Sequence, residues 1–472
     1  MTIKRVIGVL PGLPPVLNRH AARDTVPPVA LLHILSAVER KWPEKEVLLL
    51  DGNVTPHDKI IEDVKKFSDK ETLLLVSSLT LNHRNGLRIV QAGRENGATV
   101  LMGNDHATLF SEPIMRDRPG VDYLGVGECG VPTTLGLVDA LEGRAELDGV
   151  PNLVYRMNGQ IRKTSTMVHA PLQDACPDMS LIENPDAYVG NGRQMPGPQN
   201  GEAPKKSTGV NFSFGCNGNC YFCGILDRRK VAHISPSSAV KWMAELNGMG
   251  YERLHDVCDD IGSVDRAVLR ELAERKEKAG LDNIHLLNYC RSDHLMDISF
   301  VNLLGKLGVD TLFVGIESGD PAILRNSSKP GRRRETGPHG IDGENVAGVT
   351  NALQAGLDVW LLFVLGLPGE TAKSIEKSVK IAETLVETSQ NTAGKIIAAD
   401  ANMLIPFPGT RAWGSIKAKM GKADFFEKYE NTDMPNVFEL TRMHMDMFCQ
   451  VSGEQIEKAQ KEIEGMVKAQ FR

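Results

Sequence analysis

Three cysteines stand within eight residues of the chain, in the stretch GCNGNCYFCG. Three and then two residues separate Cys216, Cys220 and Cys223, whereas the other five cysteines lie singly. Thiolates are soft ligands that bind zinc, copper(I) or iron–sulfur clusters. A structural zinc would need a fourth Cys or His nearby, and His233 and His255 follow only far downstream. A four-iron cluster held by three thiolates would instead leave one iron open to a substrate.

Charged residues and glycine turns follow the later apolar stretches. Asp259 and Asp260 end the stretch HDVCDD, Arg291 follows NYC, and Glu317 stands in GIESG. The motifs GLPGET and IPFPGT follow two further stretches. Because ligands bind at the carboxyl ends of parallel strands, these residues are candidates for one common site.

Two series of alternating apolar runs and amphipathic stretches would position these residues. The first includes RVIGVLPG, EVLLLDG, TLLLVSSLT, ATVLMGND and VDYLGVGE, and such unbroken runs predict a Rossmann-like, doubly wound parallel sheet. The second includes TGVNFSFG, RLHDVCDD, NIHLLNYC, DTLFVGIESG, DVWLLFVLGLPG and IIAADANML. Six strand–helix units predict a partial (β/α)6 barrel of the TIM type. Ser235 and Pro236 are placed to begin one of its helices.

The domain boundaries follow from these series and from composition. A stretch rich in proline, glycine and asparagine precedes the second series, and GEQIEKAQKEIEGMVKAQF near the end has the spacing of an amphipathic helix. We therefore predict a Rossmann-like domain over 1–146, a connector over 147–206, the partial barrel over 207–411 and a helical region over 412–472.

Composition excludes several classes of protein. Hydrophobic residues at 41% and charged residues at 24% are ordinary for a globular protein, and a net charge of −6 gives no general attraction to nucleic acid or anionic membranes. No apolar run reaches the ~18 residues of a membrane span, and the first strand turns at Pro11-Gly12 before a signal-peptide core could form. We expect a cytoplasmic protein, with clustered thiols for a metal rather than disulfides.

The cysteine spacing resembles that of the radical S-adenosylmethionine (SAM) superfamily. Phe222 stands just before the last cysteine, and the motif directly follows the first strand of the second series. The resemblance implies that Cys216, Cys220 and Cys223 hold a 4Fe–4S cluster, whose open iron binds the amino and carboxylate groups of SAM. Reduction then cleaves SAM to methionine and a 5′-deoxyadenosyl radical. Buried or zinc-binding cysteines are the alternative.

The resemblance also implies roles for the later motifs. A bound SAM needs acceptors for its ammonium, a cation for its carboxylate and a carboxylate for its ribose hydroxyls. By family order, Asp259 and Asp260 match the ammonium acceptors, Arg291 the carboxylate-binding arginine and Glu317 the ribose-binding acid. GLPGET, with Gly366 and Gly369, matches a glycine turn where the backbone approaches the ligand.

The first series resembles a cobalamin-binding domain. VPPVALLHILSAVE, GNDHATLF and VDYLGVGE look like its signatures, although the middle one usually has Gly-Pro where Asn104-Asp105 stand. No G-x-G-x-x-G follows the first strand, which disfavours a dinucleotide site. Glycines and small polar residues at the strand ends leave room for a broad planar ligand. The candidate cobalamin contacts are Ser77, Ser78, Thr80, Gly103, His106, Gly125, Gly127 and Glu128.

His106 has two possible roles in such a domain. Other cobalamin proteins supply a histidine to cobalt from a D-x-H-x-x-G motif, and the chain has none. We therefore expect cobalt without a histidine below it, and His106 as a structural residue or a contact of the cobalamin tail rather than as its ligand.

Together the motifs, from residue 5 to about 412, resemble the cobalamin-dependent radical SAM enzymes. Their commonest activity implies that methylcobalamin methylates an unactivated carbon or phosphorus after the 5′-deoxyadenosyl radical has removed a hydrogen. Ring closure, rearrangement or another oxidation with the same cofactors is the first alternative. A non-catalytic cobalamin-binding sensor or carrier is the second, but it would need no cluster with an open iron. No catalytic side chain is assigned.

One long loop bears on the substrate. Between Glu317 and the next predicted helix lie 27 residues, where β/α loops usually have ~2–6. The loop includes Lys329, Arg332–Arg334 and His339, which could bind a phosphate, a carboxylate or the cobalamin tail. A solvated basic turn is the alternative. We expect a small-molecule or peptide substrate, anionic ones included, and a reducing partner such as flavodoxin or ferredoxin.

Overall fold

A computed structural model describes residues 1–13, 26–127, 130–164, 176–188, 206–225, 231–329, 336–425, 428–429 and 436–470. Glu128 and Arg332–Arg334 lie outside the described residues, as do residues 165–175 and 189–205 of the predicted connector. The chain divides into two compact units. The first is Met1–Met195 with Met420–Pro435, and the second is Pro196–Lys419 with Asn436–Arg472.

The first unit contains a seven-stranded sheet in the order β2-β1-β3-β4-β5-β6-β7. Strands β1 to β5 are parallel, and their apolar runs are largely buried, which confirms the predicted doubly wound sheet. The strands are β1 (Arg5–Leu10), β2 (Glu46–Asp51), β3 (Thr72–Ser77), β4 (Thr99–Gly103), β5 (Tyr123–Gly125), β6 (Leu153–Met157) and β7 (Gln160–Lys163). The helices are α1 (Val29–Lys41), α2 (His57–Phe67), α3 (His83–Glu95), α4 (Asp105–Leu109), α5 (Ser111–Asp117) and α6 (Gly130–Leu141).

The last two strands form a hairpin within the region that we predicted as a connector. β6 pairs antiparallel with β5, and β7 pairs antiparallel with β6. Asn158 and Gly159, both at positive φ (51° and 75°), make the two-residue turn that such hairpins favour. The structure therefore places residues 153–163 in the first sheet.

The second unit contains a six-stranded parallel sheet in the order β15-β14-β13-β12-β11-β8. Each strand lies beside its neighbour in the series, as in the predicted partial barrel. The strands are β8 (Ser207–Val210), β11 (Arg253–Asp256), β12 (His285–Arg291), β13 (Val309–Glu317), β14 (Asp358–Leu365) and β15 (Ile396–Met403), with a small pair β9 (Ser213–Phe214) and β10 (Ala232–His233).

Helices separate these strands. Ser235 Oγ accepts the Ser238 N–H at 3.2 Å and begins α7, with Pro236 in the first turn as predicted. The helices of the barrel are α7 (Pro236–Gly248), α8 (Arg266–Lys278), α9 (Ile298–Leu307), α10 (Pro321–Asn326), α11 (Gly343–Gln354) and α12 (Ala372–Gln390). After β15 come α13 (Arg411–Met420), α14 (Lys422–Phe425), α15 (Val437–Phe448) and α16 (Gly453–Gln470).

The last helix is the amphipathic helix predicted from its spacing. Ile456, Ala459, Ile463 and Val467 are buried along one face. Gln460 Nε2 donates to the Ala401 carbonyl at 2.5 Å, on the edge strand β15. The helix thereby covers a sheet edge that would otherwise expose unpaired backbone groups. None of the helices within the described ranges is both long and apolar enough to cross a membrane.

Candidate active site

The three clustered cysteines lie on a loop that follows β9. Cys216 and Cys220 are buried and Cys223 is half-buried. Burial raises the pKa of the Cys220 thiol to about 11. The Gly218 N–H donates to Cys216 Sγ at 3.3 Å.

The donor set fits a cluster better than a single ion. Among the residues that the structure describes, no three or more His, Cys, Asp and Glu side chains are grouped so as to hold one metal ion. A 4Fe–4S cube does not require such a group, because each thiolate binds a different iron. Three neighbouring thiols, one already accepting a backbone N–H, are therefore suitable ligands for a cube.

Backbone hydrogen bonds at Tyr221 attach the cysteine loop to the rest of the unit. The Tyr221 N–H donates to the Ser327 carbonyl at 2.9 Å, just after α10. The Ala412 N–H donates to the Tyr221 carbonyl at 3.1 Å, at the start of α13. The Tyr221 hydroxyl lies 3.1 Å from His444 Nε2 on α15. These contacts hold the loop against α10, α13 and α15.

Asp260 is a buried carboxylate at the end of β11 with both oxygens engaged. Oδ2 accepts Arg291 Nη1 at 3.0 Å and the Ser263 hydroxyl at 2.7 Å, and it lies 3.1 Å from His294 Nε2. Oδ1 accepts the Arg291 N–H at 3.1 Å and the Gly262 N–H at 3.2 Å. Burial would raise the pKa of Asp260, but the hydrogen bond and charge of His294, the charge of Arg291 and the Ser263 hydrogen bond outweigh it and hold the pKa at about 2.

Asp259, the neighbouring acid, is solvent-exposed. Its Oδ2 accepts the Gly215 N–H at 2.6 Å, directly before Cys216. The two acids that the sequence presents as a pair therefore differ in the structure. Asp260 belongs to a buried network, and Asp259 faces solvent beside the cysteine loop.

Arg291 connects the acids to the cysteine loop. Its Nε and Nη2 donate to the two oxygens of Asp293 at 2.9 and 3.0 Å. Nη1 donates to Asn217 Oδ1 at 2.6 Å and lies 3.5 Å from Cys216 Sγ. Although burial opposes the charge, the Asp293 hydrogen bonds and the charge of Asp260 raise the pKa of Arg291. The guanidinium is therefore a fixed cation beside the first cysteine.

Glu317 ends β13 and is paired with Lys329. Glu317 Oε1 accepts Lys329 Nζ at 2.7 Å, and 8% and 3% of the two side chains are exposed. A side chain at Gly315 would collide with both charged groups. Lys329, predicted within a basic loop, is thus buried, whereas His339 further along that loop is exposed.

The GLPGET turn follows β14. Gly366 and Gly369 have φ of 88° and 85°, the left-handed region that favours glycine. Glu370 Oε2 accepts the Gly366 N–H at 2.6 Å, and burial raises the pKa of Glu370 to about 8. The Gly369 N–H donates to the Phe448 carbonyl at 2.8 Å, so this turn contacts α15.

In the first unit, three of the predicted cobalamin contacts are buried in a histidine cluster. Ser78 Oγ lies 2.6 Å from His83 Nδ1, and Thr80 Oγ1 lies 3.2 Å from His106 Nδ1. The centroids of the His83 and His106 rings lie 3.9 Å apart, and the rings are tilted by 31° to each other. Burial, followed by the charge of His83, lowers the pKa of His106. His106 is therefore a buried imidazole beside Thr80 and His83.

The remaining described candidates lie nearer the surface of the same sheet edge. Ser77, Gly103, Gly125 and Gly127 are half-buried at or just beyond the ends of β3, β4 and β5. Asn104 stands where the usual signature has glycine. Its Nδ2 donates to Ser77 Oγ at 2.9 Å, and its side chain accepts the Asp105 N–H and so caps α4. A flat edge with small side chains leaves room for a large ligand.

Several residues of the site were not predicted. Asp293 and His294 follow Arg291 within three positions, so their contact with it could have been anticipated. Ser263 ends a short turn after Asp260 and could also have been found. Lys329 was predicted only as one cation of the long basic loop, and neither its contact with Glu317 nor that of His444 with Tyr221 has a local signal, because the partners lie elsewhere in the chain.

The chain matches the model of the Radical SAM superfamily over residues 210–382. This region includes the cysteine loop and the strand ends just described. The second unit therefore carries a radical SAM domain, and such a domain implies a radical SAM enzyme with a 4Fe–4S cluster and SAM, as predicted. An enzyme of this kind is not the non-catalytic sensor or carrier of the second alternative.

Relatives extend the similarity to nearly the whole chain. An uncharacterized methyltransferase of Pyrococcus horikoshii is 27% identical over 434 residues, covering 88% of this chain and 83% of the relative. An anaerobic magnesium-protoporphyrin IX monomethyl ester cyclase of Synechocystis is 24% identical over 325 residues, covering 67% and 61%. The chain thus spans less than two thirds of the cyclase.

Two solved structures share the fold. The cobalamin-dependent SAM radical enzyme OxsB, with aqua-cobalamin and SAM bound, superposes with a TM-score of 0.68 at 14% identity over 97% of this chain and 66% of OxsB. The radical SAM methyltransferase TsrM of Kitasatospora setae, with cobalamin and a 4Fe–4S cluster, gives 0.63 at 18% identity over 88% and 76%. Both confirm the predicted fold class.

Proposed function

We propose that the chain is a cobalamin-dependent radical SAM methyltransferase that methylates an unactivated carbon or phosphorus centre. One observation carries the proposal: in a radical SAM domain, Arg291 contacts both Cys216 of the cysteine loop and the buried carboxylate of Asp260. The parallel sheet of the first unit, with small residues at its strand ends, and the methyltransferase-named relative support the cobalamin and methyl-transfer parts.

Cys216, Cys220 and Cys223 would hold the 4Fe–4S cluster. When bound, the cluster and SAM supply a radical that removes a hydrogen atom from the substrate, and cobalamin supplies the methyl group. The Gly218 N–H, which contacts Cys216 Sγ, would stabilise the charge on that thiolate. The fixed loop would keep the three sulfurs in place when SAM binds and leaves.

The structure leads us to divide the roles of the acid pair. Asp259 is exposed and would accept the SAM ammonium, whereas both oxygens of Asp260 already accept protein hydrogen bonds. Asp260 would instead hold Arg291, which would bind the SAM carboxylate beside Cys216. Glu317 would accept the ribose hydroxyls, and the Gly366 and Gly369 turn would bring the backbone to the ligand.

At the first sheet, Ser77, Gly103, Gly125 and Gly127 are the residues we propose to contact cobalamin. Ser78, Thr80 and His106 would support that surface from below, because their polar atoms contact one another or His83. Glu128 remains a prediction outside the described residues. No imidazole of this cluster would be the lower ligand of cobalt.

The products of SAM test methyl transfer directly. The anaerobically purified chain, loaded with iron, sulfide and cobalamin, would be incubated with SAM and a one-electron reductant such as flavodoxin or ferredoxin with its reductase. We expect both 5′-deoxyadenosine and S-adenosylhomocysteine. Formation of S-adenosylhomocysteine should disappear when cobalamin is omitted. Deoxyadenosine alone, across candidate substrates, would contradict methyl transfer.

Ring closure or another oxidation is the second candidate. The observation that favours it is the 24% identity to magnesium-protoporphyrin IX monomethyl ester cyclases of Synechocystis and Rubrivivax gelatinosus. Such a reaction would consume SAM to 5′-deoxyadenosine without S-adenosylhomocysteine, so the same experiment separates the two candidates.

A further inference from the structure

Like the pair of Asp260 with Arg291, the ion pair between Glu317 and Lys329 is deeply buried in this unit. Its 2.7 Å contact leaves 8% and 3% of the side chains exposed, whereas the nearby pair of Lys377 with Asp320, also at 2.7 Å, leaves 23% and 14% exposed. Taking two charges out of water is unfavourable unless their geometry is good. We propose that Lys329 is a positioning residue that holds the Glu317 carboxylate to accept the ribose hydroxyls of SAM.

The backbone on both sides of the pair is shaped to bring the two side chains together. Glu317 has φ of 62°, and the pairing of β13 with β14 shifts between Gly315 and Glu317. Ser328, just before Lys329, has φ of 52°. Residues with side chains rarely adopt such angles, and they persist where the surrounding structure holds them.

Gly315 provides the space for the pair. It lies two residues before Glu317 on the same face of β13, and a side chain there would overlap Glu317 Oε1 and Lys329 Nζ. The carboxylate therefore folds back over the strand rather than extending away from it. The position of the Glu317 carboxylate therefore depends on the space at Gly315, on the positive φ of Glu317 itself and on the contact with Lys329.

Lys329 also belongs to the turn that contacts the cysteine loop. The Lys329 N–H donates to the Leu324 carbonyl at 3.0 Å, and the Ser327 carbonyl accepts the Tyr221 N–H at 2.9 Å. One short turn thus reaches both the proposed ribose acid and the proposed cluster loop.

The hydrogen-bond geometry indicates how Lys329 would act. Lys329 Nζ contacts Oε1 of Glu317 and so fixes the rotation of the carboxylate. Oε2 would then accept a ribose hydroxyl from a defined direction, which is the condition for a strong charge-assisted hydrogen bond. The inference rests on the proposed role of Glu317 and on SAM binding, and it does not require methyl transfer.

Two ligands of equal charge, one with and one without the ribose hydroxyls, can show whether Lys329 positions Glu317 or only contributes its charge to the site. We would measure the dissociation constants of SAM and of its 2′,3′-dideoxy analogue with the cluster-loaded chain, by equilibrium dialysis under anaerobic conditions. Lys329→Met should weaken SAM roughly 10- to 100-fold, as expected for a charged hydrogen bond that loses its geometry. The analogue, which lacks both ribose hydroxyls, should bind the variant and the wild type alike.

Three further variants complete the test. Lys377→Met, which breaks the matched pair with Asp320, should leave both dissociation constants unchanged. Glu317→Gln should weaken SAM selectively, and adding Lys329→Met to it should have little further effect. Lys329→Arg should retain most of the affinity, since a cation remains. Should Lys329→Met lose iron or unfold, the Glu317→Gln and Lys329→Arg proteins still carry the test.

Equal weakening of SAM and the dideoxy analogue by Lys329→Met would overturn the inference, as would unchanged SAM binding. Additive effects of Lys329→Met and Glu317→Gln would also contradict it. Failure of the proposed function gives a different result: the wild type would form no methylated product, while the selective loss of SAM affinity in Lys329→Met would remain.

Discussion

The strand ends of the two parallel sheets differ in the kind of side chain they carry. In the second unit, Asp260, Arg291 and Glu317 are charged, buried and bonded to further charged residues. In the first unit, β4 and β5 end instead at Gly103 and Gly125, so this part of the edge is small and uncharged. The difference indicates a compact charged ligand in the second unit and a broad planar ligand, contacted by backbone, in the first.

The largest expected effect concerns the cysteine loop. Cys220→Ala should abolish 5′-deoxyadenosine formation and remove most of the bound iron, because one thiolate ligand of the cube is lost. Cobalamin bound per chain should stay near the wild-type level if the two edges hold different ligands. Iron, cobalt and nucleoside are measured on one preparation. Cys258→Ala, at a buried cysteine outside the cluster loop, is the control and should retain its iron.

The next effect sharpens the contrast between Asp260 and Asp259. Asp260→Asn should lower the free energy of unfolding by roughly 3–5 kcal/mol, because Arg291 and its partners lose a buried countercharge. Asp259→Asn should change it by less than about 0.5 kcal/mol, since that carboxylate faces solvent. Urea unfolding at neutral pH measures both. Equal destabilisation by the two variants would show that the acids do not divide their roles as proposed.

A third variant tests the uncharged edge of the first sheet. Gly103 has room for a first side-chain carbon, 3.6 Å from the Gly125 carbonyl oxygen. Gly103→Leu should therefore fold, fill the edge and weaken cobalamin binding at least tenfold, or by about 1.4 kcal/mol, without loss of iron. Cobalamin titration followed by absorbance reports the affinity, and Ser77→Ala is the mild control. Unchanged affinity in Gly103→Leu would place cobalamin elsewhere.

A smaller effect comes from Glu370, the buried acid of the second unit. Its pKa of about 8 is higher than that of an exposed glutamate. The buried carboxyl group is therefore protonated and neutral at low pH, where it does not lower the free energy of unfolding. As pH rises toward 8, the unfolded chain loses this proton more readily than the folded chain, and the free energy of unfolding falls. Glu370→Gln keeps an acceptor for Gly366 and should gain stability over the wild type by up to about 1.4 kcal/mol per pH unit between pH 5 and 8. Urea unfolding at three pH values measures the difference. A constant difference across these values would mean that Glu370 is ionised throughout.

Much of the fold could be predicted because strands buried on both faces have unbroken apolar runs. The start of the predicted connector already has the pattern of a hairpin around Asn158-Gly159, but that pattern does not show that its short, exposed second strand extends the first sheet. Local motifs were enough to predict Cys216, Arg291 and Glu317 as site residues, and the structure brings Arg291 to Cys216. The motifs could not separate Asp259 from Asp260, because exposure depends on the path of the whole chain.

The pairing of Lys329 with Glu317 could not be predicted from the sequence, and the reason is physical. The contact requires positive φ at Glu317 and at Ser328, and neither residue type signals such a conformation. The stretch around Lys329 is rich in basic residues, and such a composition favours a turn that is exposed to solvent. Only the path of the backbone shows that this cation is buried against an acid of the site.

The central claim, a 4Fe–4S cluster and cobalamin in one chain, is tested most directly by the metal content of the anaerobically purified protein. After expression with cobalamin supplied, iron and cobalt would be counted per chain and the visible spectrum recorded. We expect about four irons, as one 4Fe–4S cluster requires, together with cobalt and the absorbance of a corrin. Four irons without cobalt, even after cobalamin is added to the purified chain, would contradict the account and leave a radical SAM enzyme of another class.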